Sequence, residues 1–379
     1  MKPLKIAILF LSILTFVFGS QEAAAQESGD GNAIPYPKEE WKGVQGKTLA
    51  DSKPYFIGQP KAPDGAPNVL VIMLDDAGYS NATSFGGVMK TPTLDRIGDE
   101  GIRYTHMSVS AVCSPTRASL LTGYNVHQIG TGIISEFATG YPGYNSQIDY
   151  STPSIAKILT DNGYATAAFG KWHNTPMEEA SPAGPFESWP TGIWGFEYFW
   201  GFLGGETNQF HPLLYENNTA IETPKTNADG SKFHISHGMA DQAIKWLDNW
   251  KGLRDVPFFM YYTPGAVHAP IQVPEEWRDK YKGQFDDGWH VYRSQQLERQ
   301  KKLGLVPEDA EMVDWPEVIP EWDSFSEEGK RYLARQMEVN AAFLEHVDYH
   351  VGRVIDHLEE MGELDNTMVV YLTADNGNT

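Results

Sequence analysis

Cys113-Ser114-Pro115-Thr116-Arg117 holds the only cysteine of this chain. One thiol forms no internal disulfide, so Cys113 either packs as a small apolar residue or its sulfur is raw material for chemistry. Ala118-Ser119-Leu120-Leu121-Thr122-Gly123 follows and reads as a short helix stopped by glycine. That spacing puts Cys113 at or just before a helix N-terminus, where free N–H groups and the positive dipole end favour an anion.

Carboxylates come next. Asp75-Asp76 follow the apolar run Asn68 to Leu74 directly, and Asp375-Asn376 follow the run Thr367 to Thr373. Adjacent carboxylates repel unless a cation joins them, and either pair alone reads equally well as an acidic turn. Two strand-end pairs offering Asp, Asp, Asp and Asn together make a site for a hard cation. Such a ligand-rich set suits Ca²⁺ better than Mg²⁺. Lys171 and His173 lie in Gly170-Lys171-Trp172-His173, straight after another apolar run. An extended chain would point both to one side, although alone they read as a solvated lysine beside a packed histidine. His268, in Thr263-Pro264-Gly265-Ala266-Val267-His268-Ala269-Pro270, again follows a strand pattern.

The elements that must position these groups are legible. Asn68–Leu74, Tyr164–Phe169, Pro257–Tyr262 and Thr367–Thr373 are continuous apolar runs, as expected of strands buried on both faces. Helices are expected from Thr91, over Ser154–Asp161, over Met239–Trp250, and between Glu328 and Met361. The last keeps apolar residues three or four apart from Met337 to Met361. Strands alternating with helices predict an α/β fold, with a largely parallel central sheet covered by helices on both faces. Long insertions interrupt it at 174–216 and 275–328.

Composition sets the frame. The 379 residues are 41% hydrophobic, enough for a large core, and carry a net charge of −21. That acidity excludes nucleic acid as a partner, because phosphate binding wants a basic surface. An anionic substrate would therefore need positive charge supplied locally. Met1-Lys2-Pro3-Leu4-Lys5, the apolar run to Phe18 and Ala23-Ala24-Ala25 read as a signal peptide over 1–25. The run is shorter than the ~20 residues of a spanning helix, so the expectation is an exported, periplasmic or secreted protein without a stable membrane anchor. Residues 26–67 read as an extended arm, and 68–379 as the catalytic domain.

These motifs, taken in order from Asn68 to Thr379, resemble those of the type I sulfatases of the alkaline-phosphatase-like superfamily. The resemblance implies that a maturation enzyme oxidises Cys113 to formylglycine, whose hydrate is the nucleophile. It further implies that Asp75, Asp76, Asp375, Asn376 and the oxidised Cys113 side chain hold a divalent cation. Lys171 then grips a sulfate oxygen with Arg117, His173 works on the formylglycine hydroxyl, and His268 protonates the leaving group. Val267 departs from the family, in which proline is common at that place. The implied activity is arylsulfatase-type hydrolysis of a small-molecule or glycan sulfate ester. Two alternatives stay open: a phosphonate or phosphate ester hydrolase of the same superfamily, or an inactive, truncated binding protein. Family members continue past this chain's last residue with a further strand, an active-site lysine and a smaller domain, so a fragment of a longer enzyme is expected. His106, His127, His346, His350 and His357 read as structural or surface residues. The aromatics from Trp194 to Phe202 read equally as a substrate wall or as core.

Overall fold

The computed structural model describes residues 40–253, 256–373, 375 and 376. The signal-peptide segment and residues 26–39 of the arm lie outside them. In chain order the main elements are β1 (Asn68–Met73), α1 (Pro92–Glu100), α2 (Cys113–Thr122), α3 (Ile155–Asp161), β2 (Ala165–Lys171), β3 (Tyr198–Phe202), β4 (Leu214–Glu216) and β5 (Thr219–Ile221). They continue with α4 (Ile235–Leu253), β6 (Phe258–Thr263), α5 (Glu275–Arg278), α6 (Gly288–Lys302), α7 (Glu327–Glu360) and β7 (Thr367–Leu372).

Local chemistry sets several of these boundaries. Ser154 caps α3 by accepting the Lys157 N–H, and Ser326 caps α7 through the Gly329 N–H. Gly123 ends α2 at φ 73°, a left-handed conformation that costs glycine nothing. The strands form one sheet in the order β5-β4-β3-β2-β6-β1-β7. β3-β2-β6-β1-β7 are parallel, and β4, at the end of the first insertion, and β5, just past it, add an antiparallel edge.

Alternation along the strands divides the core in two. Leu70, Ile72, Ala167, Phe169 and Tyr262 face α4 and the C-terminal half of α7, where Val351, Val354 and Leu358 pack. Met73, Ala168, Phe259 and Tyr261 face α2, α3 and the buried rings of Trp172, Trp189, Trp194 and Phe196. The aromatics of 194–202 are thus core: Trp194, Phe196, Phe199, Trp200 and Phe202 are all buried. At 34 residues, α7 is about 50 Å long. Its N-terminal half packs on Ala266, Val267 and Trp322, beyond the sheet. Among the described residues no helix is long and apolar enough to cross a membrane. Because the five parallel strands run the same way, their C-terminal ends share one edge of the sheet, where ligands gather in such folds.

The α4–α7 seam holds a histidine cluster in which His346 and His350, four apart on α7, are joined by His234 from a distant part of the chain. His346 and His350 are buried, with Nε2 atoms 3.1 Å apart, and the His234 ring lies 4.5 Å from that of His346. Hydrogen bonding keeps these rings neutral. His234 Nδ1 accepts the Ser236 N–H while Nε2 meets the Gln272 carbonyl, and His350 Nδ1 accepts from Arg353. Burial pushes His234 down to about 4 and His350 to about 2, and carries His346 well below its ordinary value. A histidine depressed in the fold takes up its proton more readily when unfolded, so stability is full above the unfolded value near 6.5 and falls with the pH below it. Between pH 7 and pH 5 the expected loss is about 1–2 kcal/mol per imidazole. Thermal melts across that range check it; an unchanged melting temperature would contradict the buried, neutral assignment.

Candidate active site

Four parallel strands deliver polar groups to the shared edge. β1 ends in Asp75 and Asp76, β2 in Lys171 and His173, β6 runs into the loop bearing His268, and β7 into Asp375 and Asn376. The fifth contribution comes from the first turn of α2, with Cys113 and Arg117. Backbone bonds lock the loop after β6 onto the end of β1: Asp75 N–H donates to the Ala266 carbonyl at 2.9 Å, and Val267 N–H to the Asp75 carbonyl at 2.5 Å. Asp76 and His173 both adopt positive φ, 57° and 59°, which non-glycine residues rarely hold unless their surroundings fix them.

Charges at the centre are fully buried and closely paired. Arg117 donates from Nε and Nη2 to Asp375 Oδ2 at 2.9 and 2.7 Å, from Nη2 to Asp75 Oδ1 at 3.4 Å, and from Nη1 to the Lys171 carbonyl. Lys171 Nζ spans both Asp75 oxygens at 2.7 and 2.8 Å. Asp375 Oδ1 accepts the Asp76 N–H at 3.3 Å, and Asn376 Nδ2 donates to Asp76 Oδ1 at 2.8 Å. Ligand atoms of Asp75, Cys113 and Asp375 all lie within 4.8 Å of one another.

This arrangement fits a hard cation. Three buried carboxylates, Asp75, Asp76 and Asp375, face two strong bases, Arg117 and Lys171, so positive charge is short by one. Burial pushes Asp75 up to about 6 against the pull of Lys171, and the Asp375 charge adds to the push. For Asp375 burial is outweighed by Arg117 and Lys171, which hold it below its usual value. The Tyr261 hydroxyl is buried without a partner on the strand between β1 and β2. Asp75 and Asp375 belong directly to the three-residue group; Asp76 and Asn376 lie beside it, bonded to each other.

Cys113 itself is a poor thiolate. Burial raises it, against the lowering influence of Lys171 and Arg117, so sulfur is held as the thiol. Its Sγ lies 3.0 Å from His173 Nδ1. On the far side of that ring, His173 Nε2 meets Glu136 Oε2 at 2.7 Å. Burial lowers His173 to about 4 against the Glu136 hydrogen bond, which makes it a neutral imidazole at neutral pH. Glu136 is one of two site groups absent from the sequence reading. It sits in Ile134-Ser135-Glu136-Phe137, a single 3-10 turn over Ser135–Phe137 with no periodic or motif signal. The second is Glu206, whose Oε2 lies 3.9 Å from His268 Nδ1. His268 also gives Nδ1 to the Ala269 carbonyl at 2.7 Å and turns Nε2 toward Asp76 Oδ2 at 3.6 Å.

Lys171 and His173 do not act on one side as a pair. Lys171 points into the carboxylates, while the turn at His173 sends its ring to Cys113 and Glu136. His127 is exposed, with its ring against Tyr144.

Comparison with known proteins gives the lineage. The sulfatase family model matches residues 67–379. An uncharacterized sulfatase of Schizosaccharomyces pombe is 36% identical over 332 residues, covering 82% of this chain and 57% of the relative. The arylsulfatase of Klebsiella aerogenes is 31% identical over 329 residues, covering 84% of this chain and 68% of that protein. The chain therefore spans between half and seven tenths of the length of these curated relatives. Among solved structures, a sulfatase candidate from Bacteroides fragilis superposes with a TM-score of 0.60 at 21% identity, over 84% of this chain and 65% of that one. That likeness extends to the mostly parallel sheet and its flanking helices. With a family match across the whole folded region and sequence relatives above 30% identity, the chain belongs to the sulfatases, of the type I, alkaline-phosphatase-like kind.

Proposed function

We propose that the protein hydrolyses sulfate monoesters, using an oxygen nucleophile made by oxidising Cys113 to formylglycine and a divalent cation, Ca²⁺ in preference to Mg²⁺. One observation carries the reading: position 113 is gripped between a carboxylate pair and a neutral imidazole, within 4.8 Å of Asp75 and Asp375 ligand atoms and 3.0 Å from His173 Nδ1. Asp75, Asp76, Asp375 and Asn376 would hold the cation, which supplies Lewis-acid polarisation and positive charge when bound.

The chain's own residues do the rest. Arg117 and Lys171, fixed by their carboxylate partners, orient the sulfuryl oxygens and neutralise them in a site of low dielectric. Asp375 accepts the proton that the attacking hydroxyl gives up. His268, about a quarter exposed at the rim of the site with Nε2 3.6 Å from Asp76 Oδ2, protonates the departing alcohol oxygen. His173 Nδ1 then takes the proton of the second hydroxyl at position 113, so that sulfate leaves by elimination, without water attacking sulfur. A serine or an unmodified cysteine could accept the sulfuryl group but lacks that second hydroxyl.

The phosphonate or phosphate esterase alternative shares this chemistry and is separated by rates. Paired measurements on an aryl sulfate and the matching aryl phosphate and phosphonate are expected to favour sulfate in kcat/KM by at least about tenfold, a transition-state preference of roughly 1.4 kcal/mol. Preference for either phosphorus ester would overturn the sulfatase assignment in favour of that alternative.

A further inference from the structure

We propose that Glu136 is a positioning residue for this reaction: it holds His173 with the proton on Nε2, so that Nδ1 offers its lone pair to residue 113. The inference rests on the sulfatase reading above and adds to it a residue outside every motif.

Glu136 is surrounded by donors. Its Oε2 faces His173 Nε2 at 2.7 Å and receives the Ser135 hydroxyl at 3.2 Å, and its Oε1 receives the Gly205 N–H at 3.2 Å. A carboxylate so placed only accepts, so the hydrogen between it and His173 belongs to Nε2. A neutral imidazole has one N–H, which leaves Nδ1 as an acceptor, 3.0 Å from the Cys113 sulfur. The ring has little room to turn. A Cβ on Gly205 would lie 2.7 Å from His173 Cε1 and 2.9 Å from Nε2, so the bare backbone of Gly205 closes over the imidazole edge. That glycine pair has no phosphate-loop spacing, and close approach to the His173–Glu136 pair accounts for Gly205.

The tautomer decides whether elimination can occur. The proton of the remaining hydroxyl at position 113 moves to Nδ1, and its O–H electron pair becomes the second carbon–oxygen bond of the aldehyde. The pair of the carbon–oxygen bond to the sulfuryl group departs on the sulfate oxygen. The imidazolium that results faces the Glu136 carboxylate, which stabilises it until water rehydrates the aldehyde and the proton leaves. With the proton on Nδ1 instead, His173 would offer a donor where an acceptor is needed.

Glu136→Gln in the full-length protein tests this. The Gly205 N–H claims the carboxamide oxygen, so the NH₂ group faces His173 Nε2 and drives the proton to Nδ1. In the unconverted thiol form, ring-¹⁵N histidine NMR, with His173 assigned through His173→Asn, is expected to read Nε2–H in the wild type and Nδ1–H in E136Q. In the matured enzyme with a chromogenic aryl sulfate, the first equivalent of phenol is expected at wild-type speed. Steady-state kcat then falls by about 100-fold, the scale of a lost general base.

An unchanged tautomer with unchanged kcat overturns the proposal. So does an equal loss in first release and steady state at an unaltered melting temperature, since Glu136 would then act before elimination. Should E136Q not fold, Gly205→Ala, which keeps the carboxylate and crowds the ring, is expected to show the same fast first release and slow turnover; wild-type turnover in it overturns the proposal. A wild type that turns over no sulfate ester defeats the sulfatase reading instead, and the NMR tautomer still decides the placement.

Discussion

Replacing Cys113 by alanine is expected to lower turnover of an aryl sulfate by at least about 10³-fold, the scale on which removal of a catalytic nucleophile is felt. The fold is expected to survive, because the side chain is small and 8% exposed and the paired charges around it remain. Cys113→Ser is the sharper variant. Its hydroxyl sits where sulfur does, within reach of Asp75 and Asp375, yet it carries one oxygen instead of two. It is expected to accept at most one sulfuryl group per enzyme and then stop. Intact-mass measurement of the mature wild type is expected to find an aldehyde in place of the thiol. Sustained multiple turnover by Cys113→Ser would refute the elimination chemistry, whatever the mass shows.

Removal of divalent cations carries the second large effect. Arg117 and Lys171 are both committed to Asp75 and Asp375 by bonds of 2.7–2.9 Å, and with Asp76 beside them the centre has no positive charge to spare. A substrate bringing a sulfate anion and developing an alkoxide needs positive charge beyond those two. A divalent ion bound by the same carboxylates supplies several kcal/mol of that stabilisation, hence a loss of about 10³-fold when it is stripped. Exhaustive dialysis against a chelator, followed by a rate assay and Ca²⁺ or Mg²⁺ re-addition, checks it. Full activity in the metal-free protein would dismiss the proposed ligand set. Recovery with Mg²⁺ but not Ca²⁺ would correct the choice of ion.

Much of this architecture is legible in the amino-acid order, and the reasons differ by element. Strands β1, β2 and β6 are central and covered on both faces, and β7 beside β1 is equally apolar, so all four stand out as unbroken hydrophobic runs without need of alternation. The helix α7 declares itself through spacing, and Ser326 three residues before Gly329 marks its start within one residue of the expectation. The antiparallel edge of β4 and β5 escapes notice because each strand is three residues long, at the end of an insertion rich in glycine and proline. Glu136 escapes for another reason. A lone acid in a loop gains meaning only from the imidazole it meets, 37 residues away. The histidine seam is hidden likewise, since His234, just before α4, and His346, on α7, lie far apart in the chain.

The centre is sewn together across the length of the polypeptide. Arg117 meets Asp375 over a separation of 258 residues, and Asp76 meets Asn376 over 300. Closing loops of that size costs several kcal/mol of chain entropy, which local contacts do not repay. Helices and neighbouring strands are therefore expected to form first, with the acidic centre a late arrival on the folding route. On the proposed function, sulfate-ester turnover would thus double as a certificate of completed assembly: a chain stalled halfway would have its early secondary structure and no chemistry.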